Sequence, residues 1–403
     1  MNKQKEKKLV PKLRFLEFQD AEEWSQEKLK VLANRITQKN KKGKITRVLT
    51  NSAAVGIIDQ RDFFDKDIAN KANLEGYFIV DEGDYVYNPR VSKIAPVGPI
   101  SKNKIGKGIM SPLYIVFRFK NIHNDFYEQY FKTTHWYDCL RMLSNTGARH
   151  DRMSITPNAF DGIPLPSPHP KEQQKIADCL SSIDDLISAH SQKLDSLNAY
   201  KKGLLQQLFP AEGETVPKLR FPEFRNDEEW GQEKLSKLIS TVTPPKKLLT
   251  SNYLSEGKFP IVDQSQNYIS GWTNDRDALV TNNLPLIIFG DHTCVLKIIY
   301  KPFAQGADGI KVLCPSDLID PRYLYQFLTF NPVSTEEYKR HFSSLKEKMI
   351  YFPKKVSGEQ QKIADCLSYV DDLLNAQSQK LESLREHKRG LMQGLFPVIN
   401  ENS

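Results

Sequence analysis

The sequence predicts an α+β protein: two mixed α/β heads joined by two long helices that pair as an antiparallel coiled coil, with an approximate twofold axis. Three observations predict this. The chain repeats itself, the repeated part carries a heptad stripe, and the parts between the repeats are strand-rich and unlike each other.

The repeat has two segments. VPKLRFLEFQDAEEWSQEKL (10–29) returns as VPKLRFPEFRNDEEWGQEKL (216–235), identical at 15 of 20 positions. EQQKIADCLSSIDDLISAHSQKLDSLNAYKKGLLQQLFP (172–210) returns as EQQKIADCLSYVDDLLNAQSQKLESLREHKRGLMQGLFP (359–397), identical at 27 of 39. Two copies are too few for a solenoid, which needs three or more. They fit a common frame with two different working heads. The expected divisions are 1–168 (lead-in segment and first head), 169–210 (first helix), 211–355 (second lead-in and head) and 356–403 (second helix and tail).

The longer repeat reads as a coiled-coil strand. Apolar residues run Ile176, Leu180, Ile183, Ile187, Leu194, Leu197, Leu204, Leu208, and then Ile363, Leu367, Val370, Leu374, Leu381, Leu384, Leu391, Leu395. The spacing alternates four and three when His190 and Lys201, or Gln377 and Lys388, count as polar members of the seam. Each helix would be roughly 55 Å long at ~1.5 Å per residue. Packing of each helix on its own head alone would leave so long and narrow a stripe poorly covered. Pro170 and Pro210 bracket the first helix; Pro353 and Pro397 flank the second. Antiparallel pairing would convert the direct repeat into a twofold axis and place unlike heads at opposite ends of a rod.

In the first head, Tyr77–Val80, Tyr85–Tyr87 and Leu113–Phe119 read as strands, with turns at Glu82-Gly83-Asp84 and Asn88-Pro89. Residues 126–143 read as one amphipathic helix and 162–170 as a proline-rich connector. In the second head, IVDQSQNYI, LPLIIFG and CVLKIIY read as short strands and PRYLYQFLTF as a helix.

Formal net charge is +8, from 57 basic and 49 acidic residues, which favours a polyanionic partner without identifying one. Residues 35–118 carry 15 basic and 8 acidic residues, and 236–355 carry 15 and 11. Lys39, Lys41, Lys42, Lys44 and Arg47 fall within nine residues with no acid among them. A phosphate-contacting loop has this composition, and so does a solvated surface loop. Side chains able to read base edges are Asn88, Arg90, Arg149, His150 and Arg152 in the first head. In the second they are Gln264, Ser265, Asn267, Tyr268, His292, Thr293 and Lys346. Taken singly, each is also an ordinary turn or surface residue; the clustering singles them out.

Other chemistries find no support. Cys139, Cys179, Cys294, Cys314 and Cys366 form no Cys-x-x-Cys pair, so no zinc site is expected, and their sparseness suits a reducing compartment. The start, MNKQKEKKLVPK, lacks the apolar core of a signal peptide, and no apolar run approaches ~18 residues; a cytoplasmic protein without a membrane contact is expected. Gly106-Lys107-Gly108 is too short for a Walker loop. Asn88-Pro89-Arg90 and Asn331-Pro332-Val333 do not match the Asn-Pro-Pro-Tyr-like tetrapeptide of adenine methyltransferases. Lys346-Glu347-Lys348 lacks the acidic partner strand a nuclease would need.

Ile163-Pro164-Leu165-Pro166 followed by Glu172-Gln173-Gln174-Lys175-Ile176-Ala177 resembles the hallmark of type I restriction-modification specificity subunits. So do the second copy, Glu359-Gln360-Gln361-Lys362-Ile363-Ala364, and the Lys-Leu-Arg-Phe-x-Glu-Phe segments at 12–18 and 218–224. Within the heads, GDYVYNPRVS, SPLYIVF and SNTGARHDRMSI, then IIFGDHT, GADGIKVL and FSSLKEKMIYFP, resemble that family's target recognition domains. The resemblance covers nearly the whole chain. It implies two target recognition domains on an antiparallel coiled coil, each reading half of an asymmetric site in double-stranded DNA. It also implies two methyltransferase subunits and two restriction subunits as partners. S-adenosylmethionine, ATP and Mg would serve those partners, with no cofactor bound and no catalysis performed by this chain. Two rival readings are a stand-alone enzyme such as a fused methyltransferase, which would bind cofactor by itself, and a purely structural adaptor, which gives no reason for two unlike heads.

Overall fold

The computed structural model describes residues 9–63, 71–144, 151–211, 213–281, 283–306, 309–333 and 340–398. Two long helices, Pro170–Leu208 and Glu359–Leu395, fall where the heptads place them. The chain forms two compact units. Unit 1 comprises Met1–Ala189 and Leu381–Ser403; unit 2 comprises His190–Lys380. Each unit therefore holds the first half of one long helix and the second half of the other.

In unit 1, Ile176, Ala177 and Leu180 share a buried core with Leu395 and Phe396, and Lys388 Nζ reaches Asp184 Oδ1 at 2.5 Å. In unit 2, Ile363, Ala364 and Leu367 share a core with Leu205, Leu208 and Phe209. There Lys201 Nζ reaches Asp371 Oδ1 at 2.5 Å, and Gln377 Nε2 donates to the His190 carbonyl at 2.8 Å. Numbers rise along one helix as they fall along the other, so the segments run antiparallel within each unit. All four polar seam residues have a partner on the facing helix. This is how a polar group in an apolar seam avoids the cost of burial and fixes register.

The lead-in segments explain the shorter repeat. Arg14 donates from Nε and Nη2 to both carboxylate oxygens of Glu172 (2.7 and 2.8 Å), and to the carbonyls of Ala21 and Glu22. Arg220 does the same with Glu359 (2.8 and 2.8 Å) and the carbonyls of Asp227 and Glu228. The Lys175 ammonium lies 5.6 Å from the Phe15 ring centre and 3.0 Å from Glu17; Lys362 lies 5.7 Å from Phe221 and 3.3 Å from Glu223. The two repeated motifs are thus the two sides of one junction, and the junction is built twice.

The heads share more than their sequences suggest. Unit 1 has an antiparallel sheet in the order Ala33–Arg35, Ile115–Phe119, Tyr85–Tyr87, Ile100–Lys102. Unit 2 has Ile239–Val242, Ile310–Pro315, Leu286–Gly290, Leu296–Ile299, the same connectivity. A helix backs each sheet, Asp125–Phe131 and Pro321–Phe330. The latter matches its sequence pattern, because Pro321 opens it and the Asp320 side chain accepts from the amides of Arg322 and Tyr323.

Three expectations need correction. IVDQSQNYI is strand only at its start, as the end of Phe259–Val262, and continues as a loop. Residues 126–143 form two helices, Asp125–Phe131 and Tyr137–Leu143. The break comes where the Thr133 hydroxyl binds the Tyr130 carbonyl and the Trp136 indole binds the Phe131 carbonyl. The connector 162–170 contains a strand, Pro164–Ser167, antiparallel to Ser25–Lys28. Pro164 and Pro166 alternate with Leu165 and Ser167, which keep their amides for the ladder.

Candidate nucleic-acid interface

In the first head, the chain leaving strand Ala33–Arg35 forms a tight turn. Asn40 is buried; its Nδ2 donates to the Ile45 carbonyl (2.8 Å) while its Oδ1 accepts from the Ile45 amide (3.2 Å). Gly43 takes φ +59°, where a side chain would strain the turn. This brace presents Lys41, Lys42 and Lys44, all exposed, on a fixed loop; Lys39, also exposed, pairs across to Phe78. Arg47 stands apart: it ion-pairs with Asp59 (3.1 Å) and donates to the Ile105 carbonyl (2.5 Å).

Asn88 is buried, donating to the Asn51 carbonyl (2.8 Å) and accepting from the Arg90 amide (3.0 Å). It positions the backbone of Arg90, which lies opposite Arg152 in an antiparallel bridge. Structure thus unites Asn88, Arg90 and Arg152 from separate stretches of sequence. Arg149 and His150 lie outside the described residues.

The second head gathers three of its sequence segments around Asp291. This buried residue donates its amide to the Gly309 carbonyl (2.6 Å), and its Oδ1 accepts from the Phe342 amide (2.8 Å). Beside it, the Thr293 hydroxyl donates to the Gln264 carbonyl (2.8 Å), and His292 is exposed. A Cβ on Gly309 would come within 2.8 Å of Gln264 Nε2, so glycine there leaves room for the Gln264 side chain. The ammonium groups of Lys346 and Lys311 lie 5.4 and 5.5 Å from the Phe342 ring centre. Gln264, His292, Thr293 and Lys346 therefore belong to one neighbourhood.

Ser265 and Asn267 lie on a loop held from below. Buried Lys297 donates to the carbonyls of Asp263 (2.8 Å) and Asn267 (2.5 Å), and burial lowers its ammonium from its usual range despite the Asp263 charge. Burial pushes the Asp263 carboxyl up, but hydrogen bonds from Ser270 and Ser265 outweigh it and leave the group below its ordinary value. Tyr268 turns elsewhere. Its hydroxyl binds the Ile298 carbonyl (2.6 Å), and its ring lines a groove of about 430 Å³ with Tyr300, Tyr325 and Asp372.

Sequence reasoning overlooked Asn40, Asp291 and Lys297, which hold the candidate loops in place. An isolated lysine in the apolar run CVLKIIY was the one available signal for Lys297. Among the described residues, the second head has no matching run of four exposed lysines: past strand Ile239–Val242 stand Lys246, ion-paired with Asp275 at 2.6 Å, and its neighbour Lys247. Among the described residues, no group of three or more His, Cys, Asp or Glu could hold a metal ion, and no helix is long and apolar enough to cross a membrane.

The sequence matches the family described as type I restriction modification DNA specificity domain over residues 22–199 and 228–385. It is 25% identical over 265 residues to the putative type I restriction enzyme MjaX specificity subunit of Methanocaldococcus jannaschii, a match spanning 60% of each chain. It is 23% identical over 321 residues to the MjaVIII specificity subunit of the same organism, covering 71% of this chain and 73% of that one. The fold is similar to the type I restriction-modification S subunit from M. genitalium, with TM-score 0.62, 16% identity and coverage of 97% and 100%. A chain from a structure of complex assembly and conformational transition of the type I R-M system matches with TM-score 0.50 and 15% identity, covering 93% and 97%.

Proposed function

This chain belongs to the family of type I restriction-modification specificity subunits, and from that premise we propose that it reads a bipartite site in double-stranded DNA. One observation carries the reading: a junction built twice in matching detail bears two heads that share a sheet but present different surfaces. A single scaffold duty would not need unlike heads, whereas an asymmetric site does. The first head would grip phosphates through Lys39, Lys41, Lys42 and Lys44, with Arg90, Arg149, His150 and Arg152 as candidate base readers, Asn88 bracing Arg90 and Arg47 engaged by Asp59. The second would use Gln264, Ser265, Asn267, His292, Thr293 and Lys346, with Tyr268 nearer the long helix.

The helices would set the gap between half-sites. A 39-residue helix is about 58 Å long, against roughly 34 Å per turn of duplex, so several unread base pairs would separate the half-sites. The domains follow the repeat, with heads at 1–168 and 211–355 and helices at 169–210 and 356–403. The duplicated junctions would carry two methyltransferase subunits, which two restriction subunits can join. These partners would use S-adenosylmethionine, ATP and Mg in the cytoplasm, and this chain would recognise without catalysing.

Selection of duplexes from a randomised pool by the chain with its methyltransferase bound tests the reading. The expected product is two specified blocks around an unspecified one. One continuous block would contradict it, and so would methyl transfer by rigorously purified chain alone.

A further inference from the structure

We propose that Arg90 and Arg152 form a guanine-reading pair, so that the half-site of the first head contains a G·C base pair contacted along its major-groove edge. This rests on the bipartite DNA reading above and gives it chemical content. The Val91 amide binds the Asp151 carbonyl (3.1 Å) and the Met153 amide binds the Pro89 carbonyl (2.9 Å). These bonds flank Arg90 and Arg152, which makes them the non-hydrogen-bonded pair of the bridge, where facing side chains lie closest. Like charges set directly opposite each other destabilise a ladder.

Little offsets that repulsion. Asp151 Oδ2 lies 3.5 Å from Arg152 Nε, but its side chain is 66% exposed. Among the described residues, no hydrogen bond or ion pair is formed by the exposed Arg90 guanidinium. The backbone beneath is rigid. Asn88 ties the Arg90 amide to the Asn51 carbonyl, and a Cβ on Gly98 would fall 2.0 Å from the Asn88 carbonyl oxygen, so the chain passes there only as glycine.

Two guanidinium groups carried on a braced backbone offer donors and no acceptor. In the major groove, guanine presents two acceptors, N7 and O6. Adenine mixes an acceptor with a donor, and cytosine presents a donor. Phosphate oxygens are acceptors too, but the exposed lysines of the 39–44 loop, point charges on long stems, suit them, and a braced ladder suits a contact that must discriminate.

The test repeats the duplex selection on the chain with its methyltransferase, using wild type, Arg90→Ala, Arg152→Ala and Arg152→Lys. The wild type should select G·C at one position that both alanine variants leave unselected. Each should weaken binding of the wild-type site about 5- to 150-fold, with the other half-site and the salt dependence unchanged. Arg152→Lys should keep a reduced preference and, because it keeps the charge, leave the thermal midpoint where it is; neither alanine variant should lower the midpoint, because each removes one of the opposed charges. The proposal is overturned by a half-site without G·C, by unchanged selection, or by a lowered midpoint, which would make the pair structural. Equal weakening on every duplex with a shallower salt dependence would overturn it too, assigning the pair to phosphate. Selection of no sequence in either half would overturn the bipartite reading itself and this proposal with it.

Discussion

Arg14 and Arg220 engage Glu172 and Glu359 through the same atoms and the same pair of lead-in carbonyls. Asp184 and Asp371 each accept from a lysine of the facing long helix and from Gln129 or Gln326 of the head helix. The heads do not repeat in this way. The first presents a braced run of free-standing lysines and two opposed arginines, while the second spends Lys246 on Asp275 and Lys297 on carbonyl groups. The frame repeats its bonds, whereas the heads repeat a sheet and its backing helix and differ in the surfaces they present.

The largest expected effect lies in the frame. Arg14→Ala and Arg220→Ala each leave a carboxylate buried with its charge unpaired, since Glu172 and Glu359 are 1% exposed. Each should cost about 3–5 kcal/mol, by similar amounts, in denaturant unfolding monitored within the affected unit. A large loss from one and none from the other would break the equivalence of the junctions.

A head variant should act differently. Replacing Lys41, Lys42 and Lys44 with Ala should leave stability within about 0.5 kcal/mol. It should weaken binding to all duplexes and flatten the log–log salt slope by up to about 2.7. An unchanged slope would return the loop to solvated surface.

The smallest effect is in the seam. Burial raises the Asp184 carboxyl, but the hydrogen bond from Lys388 and the charge of Lys132 outweigh it and hold the folded group below 3.8. Its stabilisation is then complete above pH 3.8 and lost as pH falls through the lower folded value. Asp184→Asn should cost about 1 kcal/mol near neutrality, and the gap to wild type should close in acid. A gap independent of pH would mean that shape, not charge, matters at this position.

The frame was legible in the sequence because local rules govern it. A four-three stripe reports a long helix and its seam directly, and Pro321 after Asp320 announces a helix start. The pairing of Arg14 with Glu172 was hidden, since no local pattern reveals which of two repeated motifs touches which. The shared four-stranded sheet was hidden for a related reason: short buried strands such as Tyr85–Tyr87 and Leu286–Gly290 need only apolar side chains, and their order is set by distant partners. The broken helix at 132–136 turned on side-chain bonds to carbonyls, which hydrophobic spacing does not register. In the candidate interface, residue types suggested donors and acceptors, but sequence could not separate Asn88, consumed in bracing, from Arg90, left facing outward.

Separate reading by the two heads is the central claim, and exchanging one head tests it most directly. Residues 30–168 would be replaced by the corresponding segment of another family member, and methylated sites sequenced in cells carrying the methyltransferase. The account predicts that one half-site changes while the other half-site and the gap stay as they were. A change in both half-sites together would contradict it and make the heads a single composite surface.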